Sequence, residues 1–244
     1  ADAWIREDRI EDAAVPLWQG AMLYDLSPWA AGFRSGAGHR ARWERREGFL
    51  DEADPQFLLG AGDLPAGKPA QTIAYRIQTN ATNERSFVCA LLDGAPCGNS
   101  IGLLELDGSL DEHLLGLLVG GSFVFDWVVR RRMAGTNVNG FFLADCPWPV
   151  LPEPAEALLT MSAAVCRPLA LTGRRFAPLA LAAGGGGGSA WREAWAATPG
   201  ERARRGALAD AVVTFFAERA NLGVPEFNRA GCSISGAATR RVRS

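Results

Sequence analysis

The segment 111–152 constrains the fold of this chain more than any other part of the sequence. It begins with a long apolar, helical run that ends in three arginines, Arg130–Arg132. A polar turn with a glycine follows at 135–139, and an apolar, strand-like run follows at 141–144. The helical run has too many large apolar side chains for one stripe, which predicts a helix buried on most sides. Cations and amides at the exposed end of a buried element suit a surface that binds phosphates and contacts base edges.

The arginine triplet also has a purely structural interpretation, which the sequence leaves open. Asp111 and Glu112 open the helical run and suit the positive end of the helix dipole, while Arg130–Arg132 suit its negative end. The candidate DNA contacts in this segment are Arg130, Arg131, Thr136, Asn137 and Asn139.

Residues 72–92 predict two strands joined by a polar tip. The first part alternates apolar and polar residues, and the second part is a continuous apolar run. An ordinary hairpin with a solvated tip explains this pattern. Two arginines and two asparagines at one tip also fit contacts to bases or phosphates. The polar residues crowded here are Arg76, Asn80, Asn83, Glu84 and Arg85.

A basic segment broken by glycines lies at 34–48 and is expected to be a loop. Its arginines could line a nucleic-acid groove in which Trp43 stacks on bases. A solvated loop paired with Glu44 and Glu47 is the alternative. The arginines of this segment considered for the groove are Arg40, Arg42, Arg45 and Arg46.

The remaining segments predict an α+β fold, with a mixed sheet of short strands packed on one long buried helix and a C-terminal helical segment. Residues 15–33 predict strands that pack early against the core, and 93–106 predict a loop and a short strand. An interrupted helix is expected within 153–183, a glycine linker at Gly184–Gly188 and a helical hairpin at 190–223. The tail from Arg229 is expected to be disordered.

Composition limits the class of protein. No uninterrupted apolar run of membrane-spanning length is present, and the charged N-terminus lacks the apolar core of a signal peptide. Five scattered cysteines without a CxxC pair indicate a reducing cytoplasm and no zinc site. The net charge of −2 argues mildly against a nucleic-acid binder. One basic face is nevertheless sufficient for phosphate contacts.

The sequence offers no complete catalytic site. The glycine run at 184–188 has no acid-tipped strand after it, which a methyltransferase core needs to hold its cofactor. The run from Asp145 to Trp148 resembles an amino-methyltransferase site only in part. His39 and His113 are expected to be solvated, so no Ser-His-Asp set assembles. Lys68 has no paired acid for a metal-dependent nuclease. No catalytic and no metal-binding residue is therefore assigned.

Two stretches resemble a known family. AYRIQTNATNERSFVCALLDGAPCGNS and LLGLLVGGSFVFDWVVRRRMAGTNVNGFFLADCPWPVLP, in that order, resemble the C-terminal TaqI-like specificity domain of adenine-specific DNA methyltransferases from restriction-modification systems. Relatives of that domain occur in fused restriction-methylation enzymes and phage-defence methyltransferases. The early PLWQGAMLYDL is similar to the segment that leads into this domain, so the resemblance covers about 15–152.

The resemblance implies a target-recognition domain that binds double-stranded DNA beside a methyltransferase catalytic domain. That catalytic domain would hold S-adenosylmethionine, whereas this chain would need no cofactor. The implied organisation is a connector and basic loop at 1–60, a recognition core at 61–152 and a helical region at 153–244. A protein-interaction module of a phage-defence complex is the alternative, with exposed tryptophans as its anchors: Trp43, Trp148, Trp191 or Trp195. A small enzyme built on Asp145 and Trp148 is a weaker third hypothesis. The residues expected to contact DNA are Arg42, Arg45, Arg76, Asn83, Arg85, Arg130, Arg131, Thr136, Asn137 and Asn139.

Overall fold

The fold is built on a four-stranded antiparallel sheet in a computed structural model. This model describes residues 14–24, 26–45, 54–60, 71–106, 108–148, 156–171 and 241–243, together with Leu64, Phe176 and Leu179. The strands are β1 Ala14–Leu17, β2 Ala31–Ser35, β3 Arg42–Arg45, β4 Phe57–Gly60, β5 Thr72–Arg76, β6 Cys89–Leu92, β7 Ile101–Glu105 and β8 Arg241–Arg243. The α-helices are α1 Leu110–Gly120, α2 Phe123–Arg132, α3 Gly140–Ala144 and α4 Glu156–Ala170.

The central sheet has the order β6-β5-β7-β8, and every neighbouring pair in it is antiparallel. The predicted α+β class is therefore confirmed, while the expectation of a mixed sheet is wrong for the strands described. The hairpin expected within 72–92 is confirmed by β5 and β6. β6 is buried along its whole length, and β5 is buried except for Arg76 at its end, which explains the near-continuous apolar sequence of β6. The tail was expected to be disordered, but Arg241–Arg243 form β8 beside β7.

The basic segment at 34–48 is a hairpin rather than a loop, as far as it is described. β2 and β3 pair antiparallel, with an irregularity between Phe33 and Ser35. Trp43 and Phe33 face each other across the pair with their rings edge to face at 5.6 Å. This contact supplies the apolar surface that holds two short, otherwise polar strands together.

The long helix expected at 111–132 is two helices, α1 and α2, bent by 61°. α1 begins at a capping box, in which Ser109 and Glu112 satisfy each other's backbone N–H groups. The break is at Gly121 and Ser122. The Ser122 hydroxyl donates to Val119 O at 2.7 Å and accepts from Phe125 N at 3.1 Å, so one side chain ends α1 and caps α2.

One hydrophobic core draws on residues from Trp18 to Phe176. α1 packs against β5, β6 and α4. An aromatic chain runs from Tyr75 to Phe87, Phe125 and Trp148, with successive ring centroids 5.7, 5.1 and 4.5 Å apart. Trp148 is buried in this chain, so it is not an exposed interface anchor.

Two further expectations from the sequence need correction. The apolar run 141–144 is the helix α3 rather than a strand. His113 is buried, and its Nδ1 lies 2.8 Å from Ser109 O, so it is not a solvated side chain. The glycine run at 184–188, the helical hairpin at 190–223, Arg46, Trp191 and Trp195 lie outside the described residues.

No single helix among the described residues is long and apolar enough to cross a membrane. The bent pair α1 and α2 passes that test by length and composition only, when its two helices are taken together.

Candidate nucleic-acid interface

The two polar turns predicted from the sequence lie side by side. Val138 N donates to Ile77 O at 2.8 Å, and Thr79 N donates to Thr136 O at 2.9 Å. These bonds frame an antiparallel bridge between Gln78 and Asn137. We call the first turn, 77–85, and the second turn, 133–139, the joined turns. Their backbones form one surface because they share these hydrogen bonds.

Buried residues fix the joined turns to the core. Val138 is completely buried, so the second turn is held from below by an apolar anchor. In the first turn, the Ser86 hydroxyl donates to Asn80 O at 3.1 Å, and the Asn83 amide donates to Thr79 Oγ1 at 3.3 Å. The surface is therefore held in one shape before any ligand binds, which lowers the entropic cost of recognition.

Arg130 points under the first turn and not out to solvent. Its guanidinium donates to Ala81 O at 2.5 Å and Glu84 O at 3.1 Å, and it pairs with Asp126 Oδ2 at 2.9 Å. Arginine suits this position because its planar fork reaches several acceptors at once. In this conformation Arg130 positions the turn from beneath, and most of its donors are engaged.

Arg85 is buried and has no surface to offer DNA in this conformation. Only 5% of the residue is exposed. Its Nη2 donates to Gly121 O at 2.5 Å and Ser122 O at 3.2 Å, the carbonyls at the break between α1 and α2. The Gly121 carbonyl lies past the end of α1, where helix carbonyls lose their intrahelical partners, and Arg85 supplies a donor to it. The Ser122 carbonyl also accepts from Asp126 N. Its guanidinium carbon also lies 4.5 Å from the ring centroid of Phe123.

Asp126 is a residue at this site that was not predicted from the sequence. It is 4% exposed, and its Oδ1 accepts from Ser86 N and Phe87 N, both at 2.7 Å. Its carboxylate also faces both Arg85 and Arg130. One acid thus ties α2 to the segment that links the first turn with β6. The signal for it was the i, i+4 spacing of Asp126 and Arg130 in a helical segment.

Arg76 performs a similar bracing role at the end of β5. It donates to Gly20 O at 2.8 Å and to Leu23 O at 2.5 Å, around the 3-10 turn Gly20–Met22. Burial lowers the pKa of the Arg76 guanidinium, while the nearby Tyr24 opposes this change. An arginine remains charged near neutral pH despite such a shift. Its hydrogen bonds point into the protein, away from the joined turns.

Tyr24 lies between Arg45 and the first turn and contacts both. Its guanidinium carbon is 5.7 Å from the Tyr24 ring centroid, and the Tyr24 hydroxyl donates to Glu84 Oε2 at 2.8 Å. Arg42 and Arg45 are exposed on β3, and Arg40 is exposed on the preceding 3-10 turn. Trp43 is half-buried against Phe33, which leaves only part of its ring for stacking.

The remaining candidates divide by exposure. Asn139 is half-buried and caps α3, where its carbonyl accepts from Phe142 N and Leu143 N. The candidates that lie exposed at or beside the joined turns are Asn83, Arg131, Thr136 and Asn137, with Arg132 next to them. These residues present amide, hydroxyl and guanidinium groups together, the set that DNA-binding surfaces use for bases and phosphates.

Large apolar side chains are also exposed on α2 and α3. Trp127 is 58% exposed and Phe141 is 73% exposed, and Phe123 is partly exposed one turn before Trp127. The sequence predicted a helix buried on most sides, which is correct for α1 but wrong for this face of α2. The periodicity missed it because Phe125, Val128 and Val129 fill the opposite, buried face.

The described part of the chain holds no group of three or more His, Cys, Asp or Glu side chains placed to bind a metal ion. No protein-family model, no curated protein and no solved structure matches this chain.

Proposed function

We propose that this chain is a sequence-specific recognition domain for double-stranded DNA, working with the catalytic domain of a restriction-modification type adenine methyltransferase. The observation that supports this proposal is the joining of two polar turns into one preformed surface. The adenine chemistry and S-adenosylmethionine belong to the catalytic domain in this proposal, and the present chain positions the DNA. The same turns carry the resemblance described from the sequence.

The proposed contacts divide into two kinds. Arg131 and Arg132 bind phosphates and fix the register of the protein on the duplex. Arg42 and Arg45 on the β2-β3 hairpin bind further phosphates. Asn83 and Asn137 offer paired donors and acceptors to base edges, as asparagine does toward adenine in the major groove.

Arg130 holds the first turn in shape, and Arg85 and Arg76 brace neighbouring segments. None of the three contacts DNA directly in this proposal, because each donates to backbone carbonyls. This division differs from the expectation from the sequence, in which all three contact DNA. A preorganised surface loses less entropy on binding than a flexible one.

The proposal is tested by binding of the full chain to random-sequence duplex DNA across a salt series. Four exposed arginines on phosphates predict a slope of about −3.6 in log affinity against log salt. Affinity should therefore fall by about 100-fold between 50 and 200 mM salt. Absence of binding at 50 mM salt, for a folded chain at micromolar concentration, contradicts the proposal.

A protein-interaction module is the second candidate, and the exposed Trp127 and Phe141 favour it. The tryptophans that the sequence suggested as anchors are less suitable, because Trp43 is half-buried and Trp148 is buried. A protein interface at this face predicts that Trp127→Ala leaves DNA binding unchanged and abolishes capture of a purified partner. The DNA-recognition proposal also predicts unchanged duplex binding for this variant, but it requires no such partner.

A further inference from the structure

Three residues on one face of α2 form a line of exposed side chains. Phe123, Trp127 and Arg131 are each separated by four positions, so they occupy successive turns of the same helix face. Each step of four residues advances about 6 Å along the helix axis. All three side chains are exposed, and Trp127 is the most exposed tryptophan among the described residues. We call this line the α2 stripe.

The charge around the α2 stripe is suited to a negatively charged ligand. Asp126 is the only acid in α2, and it is buried against Arg130. Arg131 and Arg132 lie exposed in the last turn of the same helix. The guanidinium of Arg85 already covers the ring of Phe123 on one side at 4.5 Å. The helix therefore exposes aromatic rings and cations without an exposed acid between them.

Aromatic rings beside arginines are the combination that binds unpaired nucleotides. Every base has a flat face that stacks on an exposed indole ring, and the adjoining phosphate pairs with a cation. An exposed apolar side chain alone would suit a protein partner equally well. The exposed Arg131 and Arg132 on the same helix favour a nucleic acid as the occupant.

We propose that the α2 stripe binds an unpaired base of the DNA, with Trp127 stacking on the base and Arg131 holding the phosphate next to it. This site deepens and rests on the proposed function, since it lies on the helix that leads into the second of the joined turns. A base pair opened at the recognition site would leave one base without a partner, and Trp127 would receive it. Paired DNA would use the joined turns and not the indole ring.

The experiment measures the affinity of the full chain for three probes of one sequence. They are a paired duplex, the same duplex with a central bubble of unpaired thymines, and a single strand. The variants are Trp127→Ala and Trp127→Phe, and the control is Phe57→Ala, an exposed aromatic residue on β4. Thermal unfolding of each variant checks that the fold is intact.

We expect the wild-type chain to bind the bubble more tightly than the paired duplex. Trp127→Ala should reduce affinity for the bubble by about 5-fold to 100-fold, which corresponds to the loss of one stacked base. It should leave affinity for the paired duplex within about 2-fold. Trp127→Phe should retain most of the preference, and Phe57→Ala should retain all of it.

Each outcome is decisive for one proposal or both. Duplex binding with no preference for the bubble, or a preference unaffected by Trp127→Ala, overturns the stacking site and leaves the recognition proposal standing. Binding of bubble and single strand that depends on Trp127, without duplex binding, supports the stacking site and overturns duplex recognition. Binding to none of the three probes overturns both, and points to a protein partner for this face.

Discussion

Asp126 and Arg130 form an ion pair one helical turn apart, with Oδ2 and Nη2 2.9 Å apart and the acid buried. The pair does more than stabilise α2, because each partner also binds backbone groups of the neighbouring segment. Asp126 accepts from two amides just before β6, and Arg130 donates to two carbonyls of the first turn. The next residue, Arg131, points to solvent. Of these two neighbouring arginines, Arg130 therefore braces the first turn from within, whereas Arg131 is exposed on the surface.

Asp126→Asn is expected to destabilise the protein strongly. The substitution leaves the buried Arg85 and the half-buried Arg130 without their carboxylate, and removing one partner of a buried pair costs about 3–5 kcal/mol. Urea unfolding followed by circular dichroism measures this loss. Asp145→Asn is the matched control, since Asp145 is exposed and its substitution should change stability by less than about 0.5 kcal/mol. A similar small effect for both variants would mean that the buried pair does not hold the turn.

Arg130→Ala and Arg131→Ala should affect DNA binding in different ways. Arg131→Ala removes a phosphate contact, so the salt slope should become shallower by about 0.9 with little change in stability. Arg130→Ala should lower both stability and affinity while the slope stays the same, because it releases the first turn instead. The two measurements are salt-dependent binding and thermal unfolding. If Arg130→Ala also reduces the slope, Arg130 contacts phosphate, as the sequence alone predicted.

The sequence predicted those elements whose signals are local. The alternation in 72–76 and the apolar run before Asp93 identified the β5-β6 hairpin, because a buried hairpin requires apolar side chains at these positions. The two polar turns were also identified from a local signal, the runs of polar residues between apolar segments. The short run 141–144 was assigned wrongly, since periodicity cannot separate helix from strand over so few apolar residues.

The direction in which each arginine points was not predictable from local sequence. Arg85 and Arg131 both sit among polar neighbours, yet one is buried and the other exposed. Arg85 turns inward because the break between α1 and α2 presents the Gly121 carbonyl without a helical partner, and Arg85 supplies a donor to it from a distant segment. Such pairings depend on which segments meet in the fold. The division between positioning and exposed arginines therefore required the structure.

Gly102→Ala is expected to destabilise the central sheet by about 1–3 kcal/mol through overpacking. Gly102 pairs with Tyr75 across β7 and β5, and a Cβ at position 102 would overlap the tyrosine ring. Urea unfolding again provides the measurement. The control is Gly135→Ala, because a Cβ there meets nothing within 4 Å. Tyr75→Ala should reduce the cost of Gly102→Ala, and equal costs in both backgrounds would show that the ring is not the obstacle.

Alkaline pH should weaken the fold through Cys166. Burial raises the pKa of its thiol far above the ordinary value, and the neighbouring Cys89 raises it further. Because the unfolded thiol ionises from about pH 8.5 while the folded thiol stays protonated, the free energy of unfolding should fall as pH rises. The contribution is fully present below that pH and should fall by about 2 kcal/mol between pH 8.5 and 10.

Burial likewise raises the pKa of Tyr75, so a further loss of stability is expected above about pH 10. Urea unfolding of the wild type and of Cys166→Ala at pH 7 and pH 10 separates the contribution of the thiol. The variant should lose about 2 kcal/mol less than the wild type over this range. Identical pH dependence in the two proteins would show that Cys166 is not the titrating group.

Asn137 is expected to read one base pair, since it is exposed at the bridge that joins the two turns. The backbone at this position is fixed by the neighbouring hydrogen bonds of Thr136 O and Val138 N, so Asn137→Ala should remove a side-chain contact without moving the turn. Discrimination at one position of the target should fall by about 1–3 kcal/mol, and the salt slope should stay constant because no phosphate contact is lost. Selection of bound duplexes from a random pool by both proteins measures this change. Asn99→Ala, an exposed asparagine outside the joined turns, is the control and should select the same sequences as the wild type. Selection of one unchanged sequence by all three proteins would remove Asn137 from the set of base-reading residues and leave Asn83 to carry the amide contact.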